Sequence, residues 1–305
     1  MRKKTFSKKA PLLFLVVIFL LAVTAIYIFH GAKTFDVNKI ILLPNISERQ
    51  ETKDLLEAFR SLMEQADALR MPNTVFDADY SEAKNLFDQG KYAEAKHKIE
   101  DSSKYINTVI AQENVKPKIA ITFDAGAGAE PIQDLINYLH DSRVKITFFS
   151  TGKWAETNSA LLKEILDPRE NTKNQLGNHT YDHPHFILDN LADEQITSEL
   201  VKTESIFRAK GYEAKPLFRY PYGERNRHTD EIVKSLGYKP TPWTLDSLGW
   251  QGTHSSYEIV SRVVDKIGPN GIVLMHVGSK EDVAALPQII DKLKDLYRFV
   301  FVSEL

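Results

Sequence analysis

Several acids and bases in this chain fall at the ends of short apolar runs, where an α/β protein tends to keep its reactive groups. Lys118-Ile-Ala-Ile-Thr-Phe-Asp124 mixes β-branched and apolar residues and leads into the glycine-rich Ala125-Gly-Ala-Gly128. It reads as a strand that carries the Asp124 carboxylate to its C-terminal lip. Taken alone, such an aspartate caps a turn as readily as it accepts a proton. Gly177-Asn-His179-Thr-Tyr-Asp-His183 sets two imidazoles four residues apart. On a helical turn they share one face and suit a divalent ion; the competing reading is a pair of packing or surface histidines, with His185 a bystander. Arg219 closes an apolar run and could grip a carboxylate by a forked contact. His276 ends the run Ile272-Val-Leu274-Met275, and Asp246 and Trp250 follow another run that holds Trp243. On one rim, a carboxylate base, an imidazole pair, a guanidinium and a further imidazole are the kit for metal-assisted hydrolysis of an amide or ester.

The elements that must position these groups alternate. Strands are expected over 118–123, 145–150, 217–220, 239–245, 272–275 and 299–302. Helices are expected over 131–140, 159–166, 193–210, 229–236, 256–266 and 283–297, with Gly211 and Gly237 as helix stops. Alternating β and α elements imply parallel strands covered by helices. About 190 residues is short for eight βα units, so the fold class is α/β, a distorted, incomplete (β/α) barrel.

Ahead of this domain, Arg2, Lys3, Lys4, Lys8 and Lys9 precede an uncharged apolar run from Pro11 to Phe29. As a helix the run spans about 28 Å, close to the thickness of a bilayer core. Residues 1–10 are expected in the cytoplasm and 11–29 across the membrane, with everything after residue 30 outside. A signal peptide cut after Val23-Thr24-Ala25 is the alternative. Residues 30–46 read as a linker, with Ile40-Ile-Leu-Leu43 as a candidate edge strand. Residues 47–112 show helical periodicity, for example Leu55, Phe59, Leu62 and Ala66. The stretch around Tyr80 to Ala95 resembles one tetratricopeptide-like hairpin, read as a spacer or as a docking surface for a partner protein. The 305 residues carry a formal charge of -2, which argues against nucleic acid as a partner. The absence of cysteine excludes thiol chemistry and cysteine-bound zinc.

Residues 117–305 resemble the polysaccharide deacetylases of the NodB homology group, carbohydrate esterase family 4. Thr122-Phe-Asp124-Ala-Gly126 resembles the family's TFDDG and His179-Thr-Tyr-Asp-His183 its H-[ST]-x-x-H. Arg219-Tyr-Pro-Tyr222 resembles R-x-P-Y, Asp246-Ser-Leu-Gly-Trp250 resembles D-x-x-D-W, and Leu274-Met-His276 resembles L-x-H, all in the family's order. The resemblance implies removal of N-acetyl groups from an amino-sugar polymer, with Asp124 as base, His179 and His183 as metal ligands and Arg219 orienting Asp124. It gives the oxyanion to the Tyr222 backbone N–H, the leaving amine to His276, and the acetyl pocket to Leu274 and Trp250. The implied cofactor is a divalent ion, zinc ahead of cobalt or nickel.

Two positions depart from the pattern. Ala125 stands where the family has its third metal ligand, with Asp182 as a candidate substitute. Gly249 stands where the family has the aspartate that tunes the acid histidine, with Asp246 as a candidate to reach His276 instead. The expectation is a single-pass, membrane-anchored deacetylase working outside the cell on peptidoglycan, with chitin-type oligomers next. The alternative is a glycan-binding or scaffolding protein on the same fold.

Overall fold

The computed structural model describes residues 42–69, 71, 74–126, 132–167 and 173–305. The expected basic tail, the expected membrane span and residues 30–41 of the expected linker lie outside the described residues, while 42–46 of that linker belong to the first helix. Among the described residues no helix is long and apolar enough to cross a membrane.

Three helices come first: α1 (Leu42–Ala68), α2 (Thr74–Asp88) and α3 (Tyr92–Val115). Next come β1 (Lys118–Ala125), α4 (Ile132–Ser142), β2 (Ile146–Ser150), α5 (Gly152–Thr157), α6 (Ser159–Leu166) and β3 (Gln175–Asn178). After them come α7 (Asp193–Ala209), β4 (Leu217–Phe218), α8 (Arg227–Ser235), β5 (Lys239–Pro240) and β6 (Leu245–Asp246). The chain closes with α9 (Ser256–Lys266), β7 (Gly271–His276), α10 (Lys280–Leu293) and β8 (Arg298–Phe299).

All pairings in the sheet are parallel, in the order β5-β4-β3-β2-β1-β7-β6, with β8 paired to the start of β1. Both faces of β1 and β2 are covered, which is why they read as near-continuous apolar runs rather than alternating ones. The helices lay apolar stripes on the sheet at three- and four-residue spacing, as with Ile259, Val260 and Val263 of α9 and Leu286, Ile289 and Leu293 of α10. The expected strand over 239–245 is interrupted. Its first residues pair with β4 and its last with β7, so four residues covalently join two sheet edges that are not themselves paired. The result is a curled, incomplete barrel.

Two elements are additions to the sequence-based expectation. Gln175-Leu-Gly-Asn178 has no β-branched residue, yet it forms β3 because the neighbouring strands on each side pair with it. Gly152–Thr157 makes a short helix whose N-cap, Thr151, accepts from the Trp154 N–H at 3.1 Å. The candidate edge strand at Ile40–Leu43 is corrected where it can be seen: Leu42 and Leu43 begin α1. The final strand is also shorter than expected, and Val302–Glu304 form a 3₁₀ turn.

The described residues divide into two compact units, 42–59 with 79–100, and 60–78 with 101–305. In the first, Phe59 and Ala83 are buried, Phe59 packs on Tyr80, and Lys98 bridges Asp79 and Glu82 at 2.7 and 2.9 Å. The second holds the barrel, and also contains the Phe76–Tyr105 ring contact and an Arg143–Asp67 ion pair.

Candidate active site

Parallel pairing puts the C-terminal ends of the strands on one rim, and the register there is specific. Asp124 on β1 is the direct partner of His276 on β7, so both side chains leave the same face of the sheet. His179 and Arg219 each come directly after the last residue of their strand, and Asp246 ends β6. Asp124, His179, His183, Tyr222, Trp250, Leu274 and His276 all line one cleft of about 860 Å³.

Arg219 is the hub below this cleft and is wholly buried. Its Nη1 donates to Asp124 Oδ1 at 2.7 Å and to Thr122 Oγ1 at 2.8 Å, its Nε donates to the Thr241 carbonyl at 3.2 Å, and its guanidinium lies 4.0 Å from the Phe149 ring centre. The expected forked grip on the carboxylate is therefore corrected to a single-nitrogen contact. The Nε bond is directed elsewhere because Arg219 also ties β4 to the segment after β5. Burial alone raises the Asp124 pKa, but Arg219, with His179 and His276 nearby, overcomes it and holds the carboxyl below its ordinary value.

The histidine pair is not on a helix. It lies in the loop after β3, where Thr180 and His183 take left-handed backbone angles, φ 68° and 60°. Those turns fold the loop back and bring the two rings to 4.7 Å, edge to face. His179 Nδ1 lies 2.9 Å from the Arg219 carbonyl oxygen, the arrangement of an N–H donor, which leaves Nε2 facing Asp124 Oδ2 at 3.4 Å. Burial lowers the pKa of both imidazoles, that of His183 to about 4, with the neighbouring histidine adding to the effect on His183.

Neutral imidazoles beside an ionised carboxylate are the donors a divalent ion takes. The set fits an ion held by two nitrogens. Ala125 adds no donor, and among the described residues no group of three His, Cys, Asp or Glu is arranged to hold a metal. The candidate substitute, Asp182, is engaged elsewhere: its carboxylate accepts from Lys153 at 2.6 Å at the exposed edge of the loop.

Tyr222 stands in a 3₁₀ turn over Pro221–Gly223 with φ 56°. Its ring packs edge-on to His183 and lies flat on His185, with centroids 3.6 Å apart and planes within 6°. Glu224 meets Nδ1 of His185 at 2.8 Å. His185 is thus no bystander: it is the backing plate of Tyr222. Leu274 is buried in the floor of the cleft, while Trp250 stands more than half exposed at its rim.

Asp246 does not touch His276. Its two oxygens accept from the Leu248 N–H at 2.8 Å and the Trp250 indole N–H at 3.2 Å, so it shapes the rim loop. The carboxylate against His276 belongs to Asp282 in the first turn of α10. Asp282 Oδ2 accepts from the His276 backbone N–H at 2.9 Å and lies 3.8 Å from Nδ1 of the ring, an ion-pair separation rather than a hydrogen bond. Burial lowers the His276 pKa, but Asp282 first, then Asp124 and Asp246, raise it above the ordinary imidazole value. Nothing in the sequence singles out Asp282, because an acid there reads as an ordinary charge at a helix start.

Residues 111–241 match the family described as Polysaccharide deacetylase. A peptidoglycan-N-acetylglucosamine deacetylase of Bacillus cereus is 33% identical over 195 residues, which are 61% of this chain and 87% of that protein. Another from the same organism is 31% identical over 184 residues, 59% of this chain, and the match spans 64% of that protein's length. Among solved structures, a carbohydrate esterase family 4 pseudoenzyme from Bacillus anthracis superposes with a TM-score of 0.57 at 28% identity, covering 63% of this chain and 66% of that one. This chain belongs to the polysaccharide deacetylase family. The family match stops at residue 241, and the sheet then adds Asp246, Leu274 and His276 to the same rim.

Proposed function

We propose that this protein hydrolyses the N-acetyl amide of an amino-sugar polymer at the outer face of a membrane, with peptidoglycan as the favoured substrate and chitin-type oligomers next. One observation carries the reading. A carboxylate kept ionised by a buried arginine shares a cleft with two neutral imidazoles and, as its strand partner, a histidine whose pKa is raised. Similarity to the peptidoglycan-N-acetylglucosamine deacetylases of Bacillus cereus supports the substrate class.

Amide hydrolysis needs a base for water, a donor to the developing oxyanion and an acid for a poor leaving group. Asp124 Oδ2 is the base, and Arg219 fixes it from the Oδ1 side. The Tyr222 backbone N–H, in a turn steadied by the His185 stack, is assigned to the carbonyl oxygen. His276 gives its proton to the sugar nitrogen as the C–N bond breaks, leaving acetate and a free amine. Trp250 covers the sugar at the rim, and Leu274 packs on the acetyl methyl. A divalent ion, zinc ahead of cobalt or nickel, would be held by His179 and His183 and, when bound, lowers the pKa of water and polarises the carbonyl.

The test is acetate release by the purified chain from peptidoglycan and from N-acetylglucosamine oligomers. Asp124→Asn is expected to lower the rate by about 10²–10⁴-fold, the range for a lost general base. A variant as active as wild type would remove Asp124 from the mechanism. The second reading, a glycan-binding protein that no longer hydrolyses, draws on Ala125 and on the similarity to a pseudoenzyme. It prevails if wild type binds glycan yet releases no acetate with zinc, cobalt or nickel supplied.

A further inference from the structure

We propose that Asp282 supplies from α10 the carboxylate that positions and charges His276, and that the glycine at 249 is the space this carboxylate needs. The proposal rests on the deacetylase reading for the role of His276. Three observations carry it.

Gly249 does not take the left-handed φ that favours glycine, so backbone handedness does not demand a glycine there. A Cβ built there would nonetheless fall 2.6 Å from Asp282 Oδ2, and closer still to Oδ1 and Cγ. The volume beside Gly249 is therefore already filled by the Asp282 carboxylate.

Asp282 is wholly buried, and its Oδ1 has no hydrogen-bond donor among the described residues. Helix capping does not explain this. The α10 N-cap is Ser279, whose Oγ accepts from the Asp282 N–H at 3.1 Å. An aspartate serving only the helix dipole gains nothing from burial.

The third observation is the partner. His276 Nδ1 is likewise buried without a hydrogen bond among the described residues, and Asp282 Oδ2 lies 3.8 Å from it while accepting from the His276 backbone N–H. One carboxylate thus meets both the main chain and the ring of the same residue. The other ionisable groups facing His276 are Asp124 on β1, Asp246 on β6, and His179 and His183 in the loop after β3. Asp124 Oδ1 is held by Arg219 and both Asp246 oxygens by the rim loop. Of the three carboxylates, Asp282 is the one that meets the ring nitrogen Nδ1. Asp282 is a positioning residue: it would orient the imidazole and favour its protonated form, leaving Nε2–H to face the leaving amine.

The experiment moves the carboxylate between its two addresses. Full-length wild type, Asp282→Asn, Asp282→Ser, and Asp282→Ser combined with Gly249→Asp are compared for acetate release, thermal unfolding and the NMR titration of the His276 imidazole, assigned with His276→Gln. Asp282→Asn is expected to lower kcat about 10–100-fold with KM nearly unchanged, and to lower the His276 titration by about one to three pH units. The alkaline limb of the rate profile should move down with it. The combined variant is expected to raise both readouts by about tenfold and about one pH unit over Asp282→Ser alone. If Asp282→Asn unfolds, the pair of serine variants carries the comparison. A His276 titration unmoved by Asp282→Asn, or no higher in the combined variant than in Asp282→Ser, overturns the proposal. Absence of acetate release by wild type would instead sink the deacetylase reading, while the histidine titration still decides the role of Asp282.

Discussion

At the scale of single residues, the cleft depends on keeping opposite groups in opposite charge states within a few ångströms. His179 and His183 are held neutral by burial, and the unfolded chain would protonate both near the ordinary imidazole pKa of about 6.5. A histidine whose folded pKa is depressed binds fewer protons in the native state. The contribution of these two histidines is therefore full above about pH 6.5 and is lost as the pH falls towards the His183 value of about 4, outweighing the opposite contribution of the single His276. The metal-free protein is expected to melt at a lower temperature at about pH 5 than at about pH 7. Zinc, binding the native state through the same two nitrogens, should raise the melting temperature at about pH 7 and nearly as much at about pH 5, and lose its effect as the pH falls through about 4, where protons compete for the native imidazoles. Calorimetric scans with and without zinc check this. An equal zinc effect on His179→Ala would place the ion elsewhere.

The same residues show what a sequence can disclose at this scale. Asp124, His179, Arg219 and His276 are legible because each lies at or just beyond the end of a strand, and parallel pairing gathers such ends; His183 is reached only through the loop after β3. Asp282 is not legible, since its meaning lies in a void beside Gly249 that exists only once α10 packs on the rim loop. His185 is not either, because the left-handed turns at Thr180 and Tyr222 bring it flat against Tyr222. For the histidine pair the expected proximity is reached by another route: four-residue spacing suggests a helix, and the loop brings the rings together through positive φ.

At the scale of elements, the strands most legible in the sequence are those buried on both faces, β1, β2 and β7, where apolar character is continuous. The least legible is β3, and it leads directly into His179. Its glycine contributes to the first of these facts. A Cβ on Gly177 would meet Phe149 Cδ1 and Cε1 at 2.5 Å, so the strand can lie against that ring only without a side chain. Phe149 is wholly buried and lies under the Arg219 guanidinium, leaving it nowhere to retreat. Gly177→Ala is therefore expected to destabilise the domain by about 1–3 kcal/mol through overpacking, a fall of about 3–10 °C in Tm. It should also displace Arg219 and lower kcat/KM at temperatures where the variant is fully folded. Melting curves and kinetics at about 20 °C, well below the expected transition, separate the two effects. A Tm loss with unchanged kcat/KM would show that Phe149 does not transmit strain to the base.

At the scale of the whole molecule, the substrate and the N-terminus make one claim together. The proposed substrates are extracytoplasmic polymers, so the proposed activity requires the cleft to be delivered outside the cytoplasmic membrane. Five basic residues ahead of an uncharged run from Pro11 to Phe29 are the pattern that keeps the N-terminus inside and exports the chain beyond the run. The run stays apolar beyond Ala25 through Ile26, Ile28 and Phe29, longer than the core of a cleaved signal peptide. In chain order, helices α1 to α3 come between the proposed anchor and the barrel, as a spacer or as a docking surface for a partner. The full chain is expected in the membrane fraction, resistant to alkaline carbonate and released by detergent. Its intact mass should include residues 1–25. Protease added outside spheroplasts should digest the deacetylase domain and leave a short membrane-protected N-terminal fragment. A mature species beginning at Ile26 and recovered in the soluble fraction would favour the cleaved signal peptide, while protection of residues 117–305 from external protease would leave the cleft on the wrong side of the membrane for either polymer.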